Sequence, residues 1–326
     1  MKSLTAPLCL RRLILLAALT IPLTLQARTW HAFVGAQSHD KGRQALAFLP
    51  NEIWIHAGDS ITWMFAVDEI HTLTFLLPAQ VRPPFPVGCP GTTPTDSSFD
   101  GTVCINSGTL TEPASYTVMF PKAGNFKLVC LVHNNMTGIV HVLAAGQPLP
   151  HNQAFYDRLA MAEARDLITD QDHVHSRSLP THPSPNDVVA GIGEIAATPG
   201  GQQTLSVVRF IHSTTIIHVG QTVEWANWDP VTPHTVTFGA EPANPQLPSS
   251  NVTLDADGAR HAVISSPTDS VHSGFIVAAL QEQIGLPLHP ITVTRFRVTF
   301  TSTGTFPFIC VLHDNLGMMG KIIVVK

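Results

Sequence analysis

The chain repeats itself, and the repeat sets the limits on how it can fold. FLPNEIWIHAGDSITW begins at Phe48, and FIHSTTIIHVGQTVEW begins at Phe210. The steps from Phe48 to Gly58 to Trp63 equal those from Phe210 to Gly220 to Trp225. DEIHTLTF follows in the first copy and TPHTVTF in the second. Ser107-Gly108 matches Ser273-Gly274, and Phe120, Gly124, Phe126 and Cys130 match Phe300, Gly304, Phe306 and Cys310 at identical spacing. A chain of 326 residues with this duplication is expected to hold two domains of one kind.

Within each copy, apolar residues recur at every second position. IWIHAGDSITW, SYTVMF and TRFRVTF show the pattern, with β-branched and aromatic types favoured and glycine at the turns. Each copy therefore reads as a small antiparallel β-sandwich, one at 28–146 and one at 187–326, and the chain as all-β. The segment between them, 147–186, differs. HNQAFYDRLAMAEARDLITDQ places Phe155, Leu159 and Ala162 at helical spacing among good helix formers. HVHSRSLPTHPSPND then reads as an extended linker. The helix is expected to pack on one domain and to serve spacing and not chemistry.

Apolar residues make up 44% of the chain and charged residues 13%, which suits packed cores and not disorder. Lys2, Arg11 and Arg12 precede an apolar run from Leu13 to Leu25, and Ala27 offers a small residue for cleavage. The run is short for a membrane span and is interrupted by Pro22, so residues 1–27 read as a cleaved secretory signal. The mature chain would then be periplasmic or secreted and carry no membrane span. Three of the 18 basic residues and no acid lie in that segment. The rest holds 15 basic residues against 23 acids, a formal charge of −8 that argues against nucleic acid as a partner.

Export favours disulfides. Cys89 and Cys104 bracket a loop rich in Pro, Gly, Ser and Thr, where a disulfide would contribute about 3 kcal/mol. Cys130 and Cys310 have no such neighbour, and each is followed three residues later by histidine. A soft thiolate, two imidazoles and a weak thioether make up the ligand set of a blue copper site. The first copy offers His71, Cys130, His133 and Met136, and the second His234, Cys310, His313 and Met318. Met319 competes with Met318. Alignment of Met136-Thr137-Gly138 with Met318-Met319-Gly320 favours Met318 and brings the following strands into register. Thr72 and Thr235 follow the first histidine of each set and are candidates to bond the thiolate, or plain strand residues.

Both copies resemble cupredoxins of the plastocyanin, pseudoazurin and amicyanin type. The resemblance rests on F-x-P-x-x-I-x-I-x-x-G-D-x-I-x-W in the first copy, the HT(L/V)TF strand, the Ser-Gly pair, and G-x-F-x-x-x-C-x-x-H…M-x-G in both. It covers nearly all of the chain after the leader except the helix and linker. It implies two tandem Greek-key sandwiches, one type 1 copper ion in each, and one-electron transfer between redox protein partners that the sequence does not identify. It also implies that His133 and His313 lie near an apolar surface through which electrons leave.

Two other functions are open. A copper storage or delivery protein would use similar residues but release the metal readily. An oxidoreductase of the nitrite reductase or multicopper oxidase kind would need a second copper centre, linked through a histidine directly adjacent to the cysteine. Here Cys130 lies between Val129 and Leu131, and Cys310 between Ile309 and Val311. The one His-x-His pair, His173 and His175, falls in the linker. Ligands for such a centre are not evident, so an electron-transfer protein is the leading expectation and an enzyme the weakest.

Overall fold

The computed structural model describes residues 26–83, 89, 97–169, 184–278 and 292–326. The proposed leader up to residue 25 and the linker at 170–183, with His173 and His175, lie outside the described residues.

Among the described residues, the first copy forms nine strands: β1 Thr29–Gln37, β2 Arg43–Leu49, β3 Glu52–His56, β4 Ser60–Phe65, β5 Thr74–Phe75, β6 Ile105–Asn106, β7 Ser115–Met119, β8 Gly124–Val129 and β9 Thr137–Leu143. Helix α1, Gln153–Thr169, follows. The second copy supplies β10 Asp187–Thr198, β11 Gly201–Ile211, β12 Thr214–His218, β13 Thr222–Trp228, β14 Thr237–Phe238 and β15 Thr253–Leu254. It continues with β16 Arg260–Ile264, β17 Val271–His272, β18 Arg295–Phe300, β19 Gly304–Ile309 and β20 Met319–Val325.

The all-β reading holds. The alternation seen in the sequence becomes burial on one face: β3, β4 and β13 alternate buried with half-buried positions along their lengths. Each copy has its own core of interdigitated aromatic and aliphatic side chains. One is centred on Trp63, Phe75 and Phe120, the other on Trp225, Phe238 and Phe308. The sheets are mixed and not purely antiparallel: β1 pairs in parallel with β4, β3 with β9, β10 with β13, β12 with β20 and β16 with β18. Period-two alternation reports which face is buried and carries no information about strand direction.

Among the described residues, three sheets result. Two have five strands each, in the orders β3-β9-β8-β5-β6 and β12-β20-β19-β14-β17. The third runs through both copies in the order β15-β16-β18-β13-β10-β11-β2-β1-β4-β7. The copies are thus joined edge to edge. β11 pairs antiparallel with β2, with Thr204 opposite Leu46, Leu205 opposite Ala45, Ser206 opposite Gln44 and Val207 opposite Arg43. Val231 of the second copy is buried in the first copy's core.

Helix α1 packs on the first copy, as its apolar spacing predicts. Asn152 caps it, its Oδ1 accepting the Phe155 N–H at 3.0 Å. The helix then packs beside β1, β2 and β11, burying Tyr156 and Ala160. The Tyr156 hydroxyl oxygen accepts the Trp54 N–H at 2.9 Å. Glu163 accepts the Asn51 N–H at 3.0 Å from the first copy and Gln203 Nε2 at 3.2 Å from the second, so it holds the join from the side.

Asp59 of the Gly-Asp turn explains part of the repeat's first motif. It is buried, and its carboxylate accepts Arg28 N–H at 2.8 Å, Trp30 Nε1–H at 2.8 Å and His56 N–H at 3.0 Å. Asp59→Ala would strand three donors. A loss of about 3 kcal/mol is expected in urea unfolding, with Asp59→Asn in between. A change within about 0.5 kcal/mol would show that water reaches these donors.

Candidate metal centres

Two groups of buried side chains converge among the described residues: His71, Cys130 and His133, and His234, Cys310 and His313. In the first, Cys130 Sγ lies 4.0 Å from His71 Nδ1 and 3.8 Å from His133 Nδ1, and the two Nδ1 atoms are 3.1 Å apart. In the second, Cys310 Sγ lies 3.9 Å from His234 Nδ1 and 3.4 Å from His313 Nδ1, with the two Nδ1 atoms 3.2 Å apart. Both imidazole pairs have centroids 4.9 Å apart and rings inclined at 61°. One ion about 2.0–2.3 Å from each of three such atoms, ordinary lengths for imidazole nitrogen and thiolate sulfur, would span edges of this size. The residues fit a metal.

The backbone explains why these residues meet. The first histidine of each set sits just before a short strand, β5 or β14, and the cysteine just after β8 or β19, to which that strand pairs. The cysteine-to-methionine loop is then tied shut: Cys130 N–H donates to Met136 O at 3.0 Å, and Cys310 N–H to Met318 O at 3.0 Å. The two extra residues of the second loop are taken up by a 3₁₀ turn, Asp314–Leu316, which ends on Gly317 in the left-handed region at φ 93°. Met136 and Met318 are fully buried, whereas Met319 is 55% exposed, so the structure turns Met318 inward and Met319 outward.

Around each thiol the same partners recur. Thr72 N–H points at Cys130 Sγ at 3.4 Å and Thr235 N–H at Cys310 Sγ at 3.3 Å. The threonine hydroxyls accept the N–H of Leu131 at 2.7 Å and of Val311 at 3.0 Å, fixing the residue after each cysteine. Thr72 and Thr235 therefore brace the site and are not plain strand residues. The Ser-Gly pair braces the neighbouring backbone in the same way: Ser107 Oγ accepts Leu73 N–H and Ser273 Oγ accepts Val236 N–H, each at 2.8 Å.

Burial alone would push both thiols up. The hydrogen bonds and charges of His133 and His71 outweigh it and hold Cys130 well below the usual thiol range. His313 and His234 do the same for Cys310. Both cysteines are free and fully buried, and both sites favour the thiolate that a soft metal requires. Burial opposes the charge on His133 and His234. Cys130 and Glu69 raise the first, and Asp229 and Cys310 the second, each to about 9.

Three features had no clear mark in the sequence. Gly35 and Gly191 sit at register shifts in β1 and β10 with φ of 73° and 80°, and each faces the outer nitrogen of a histidine, His71 or His234. Arg82 straps the first loop, donating through Nε to Cys130 O at 3.0 Å and through Nη2 to Leu131 O at 2.7 Å. Buried Glu69 lies 3.3 Å from His133 Nε2 and 3.6 Å from His313 Nε2. Its nearness to His71 in the sequence was the one available hint. His133 and His313 are each only 2% exposed. Their Nε2 atoms face the Glu69 carboxylate, His133 within its own copy and His313 from the other. The Cys89–Cys104 disulfide is present, with Cα atoms 5.7 Å apart.

No family model matches the chain. Among solved structures, the chain is similar to the oxidised plastocyanin of Dryopteris crassirhizoma at 16% identity, covering 43% of this chain and 99% of that one, with a TM-score of 0.22. It is similar to the amicyanin of Paracoccus versutus at 18% identity, covering 38% and 86%, with a TM-score of 0.24. It is also similar to the native pseudoazurin of Hyphomicrobium denitrificans at 16% identity, covering 37% and 77%, with a TM-score of 0.24. Each match takes in less than half of this chain. One His-Cys-His group lies in each copy of the repeat. No helix among the described residues is long and apolar enough to cross a membrane.

Proposed function

We propose that the chain is an exported blue copper protein with one type 1 copper site in each copy, passing single electrons between redox protein partners. His71, Cys130, His133 and Met136 would hold the first ion, and His234, Cys310, His313 and Met318 the second. The observation that carries this reading is the recurrence of a buried thiol and two converging Nδ1 atoms, twice, with the same N–H contacts to sulfur. Copper held this way supplies a one-electron couple. The chain's part is to keep the thiolate charged, to fix both rings through Thr72, Thr235 and the closed loops, and to exclude water. A site that barely changes shape between oxidation states suits electron transfer, and full burial suits retention of the metal over delivery.

Metal analysis and visible absorption of the mature protein test the proposal. Two coppers per chain and strong blue absorption are expected. Cys130→Ser and Cys310→Ser should each lose one copper and about half of the colour. Absence of blue absorption in the wild type would overturn it, and loss of all copper with Cys310→Ser alone would remove the first site.

A further inference from the structure

Glu69 is a buried carboxylate in the connection between β4 and β5. One oxygen is 3.3 Å from Nε2 of His133, in its own copy, and the other is 3.6 Å from Nε2 of His313, in the other copy. Both rings turn Nδ1 toward their cysteines, at 3.8 and 3.4 Å. A neutral ring that spends Nδ1 on a metal carries its proton on Nε2, and a carboxylate is the natural acceptor for it. A carboxylate has two oxygens, and each faces one ring.

The arrangement is not a by-product of the repeat. Two residues before His234 stands Thr232, whose N–H is accepted by Asp229 at 2.9 Å and whose hydroxyl lies 3.2 Å from that of Ser206. The second copy thus contributes no acid of its own at this position, and one carboxylate serves both rings. Between the two Nδ1 atoms the route consists of two imidazoles, one carboxylate and gaps of 3.3 and 3.6 Å. The route is buried, with both rings 2% exposed and Glu69 8%.

We propose that Glu69 joins the two centres into one relay: it orients His133 and His313 and carries electron exchange between them, so that the first redox partner of each centre is the other. The proposal rests on the copper reading. In the exchange one electron leaves the reduced centre and enters the oxidised one. The Nε2 protons stay on their rings, and no further reactant is needed. A shared carboxylate also makes the centres interdependent, so oxidation of one shifts the potential of the other, and the shift is reciprocal.

The test uses the full-length mature protein as wild type, Glu69→Gln and Glu69→Leu, each checked for two bound coppers by metal analysis and absorption. In the fully reduced, diamagnetic wild type, NMR should show slowly exchanging Nε2–H protons on both His133 and His313. Both should become exchange-labile in Glu69→Leu. After pulsed reduction of a fraction of the centres, redistribution between copies should slow about tenfold or more in Glu69→Leu. Glu69→Gln, which keeps one acceptor oxygen, should slow it less, a graded response that a merely structural role would not give. Wild-type redistribution rates in Glu69→Leu with both coppers bound would overturn the relay and leave the copper reading standing. Absence of protected Nε2–H protons in the reduced wild type would overturn it without recourse to any variant. Fewer than two coppers in the wild type would overturn both.

Discussion

Gly191→Ala is expected to unseat His234 and empty the second metal group while the first stays intact. A Cβ at this position would lie 2.1 Å from His234 Nε2, 2.5 Å from Cδ2 and 2.9 Å from Cε1. The ring cannot step aside, because it is fully buried and its Nδ1 faces Cys310 and His313. Alanine would also be held at φ 80°, where an L side chain costs about 1–2 kcal/mol before any clash. A total loss of about 3 kcal/mol or more is expected, together with one copper fewer per chain. Gly58→Ala supplies the control, since its φ of 94° is equally unusual but nothing lies within 4 Å of the new Cβ. It should cost about 1–2 kcal/mol and no copper. Gly35→Ala should fall between, because its nearest obstacle is a Val67 methyl at 2.6 Å, with His71 Nε2 at 3.1 Å. Urea unfolding and copper analysis of the three variants give the order. If Gly191→Ala proves no worse than Gly58→Ala, the close approach of β10 to His234 is not a constraint.

Asp229→Ala should be nearly as damaging, for a different reason. Asp229 is fully buried. Its Oδ1 accepts the N–H of Val231 and of Thr232, each at 2.9 Å, and its Oδ2 accepts the Ser206 hydroxyl. The same Oδ2 lies 3.9 Å from His234 Nε2. Burial would raise this carboxyl, but His234 and these donors hold it below the usual range, so it stays charged. Removing it strands the N–H groups of Val231 and Thr232, leaves the Ser206 hydroxyl only the Thr232 hydroxyl at 3.2 Å, and takes the nearest anion from the outer edge of His234. A loss of about 3–5 kcal/mol is expected in urea unfolding of the metal-free protein. Asp229→Asn keeps an acceptor for the two N–H groups and should lose less. An Asp229→Ala protein within about 1 kcal/mol of wild type would mean that the loop carrying Val231 and Thr232 re-forms around other partners.

The metal groups were legible in the sequence because their chemistry is rare and because it occurs twice at nearly fixed spacing. The strands were legible for the same reason that sheets are amphipathic: Ile53, Ile55, Ile61 and Trp63 all point inward. What surrounds the site was not legible. Gln44, Gln203, Thr204 and Ser206 look like solvent-facing residues, yet all are buried at the join between β2 and β11. Thr204 donates its hydroxyl to Asn135 O across the seam at 3.3 Å, while Gln44 donates to Lys41 O and Ser206 to Asp229 within their own copies, pairings that no local pattern encodes. Glu69 reads as a surface acid in an Asp-Glu pair for the same reason: its partners are 64 and 244 residues away along the chain, at His133 and His313.

The pairing of β2 with β11 has a consequence for the origin of the chain. Gln44 lies four residues before Phe48, and Ser206 four before Phe210, so the two are equivalent in the repeat, and they stand opposite each other in the ladder. An antiparallel pairing centred on equivalent residues has a local twofold axis, the isologous contact by which two copies of a half-length ancestor would form a symmetric dimer. Gene fusion would then have preserved an existing interface rather than created one. Such a dimer would have placed the same residue type at both positions now occupied by Glu69 and Thr232. Only once the copies shared a chain could one of them keep a carboxylate at the axis while the other gave it up.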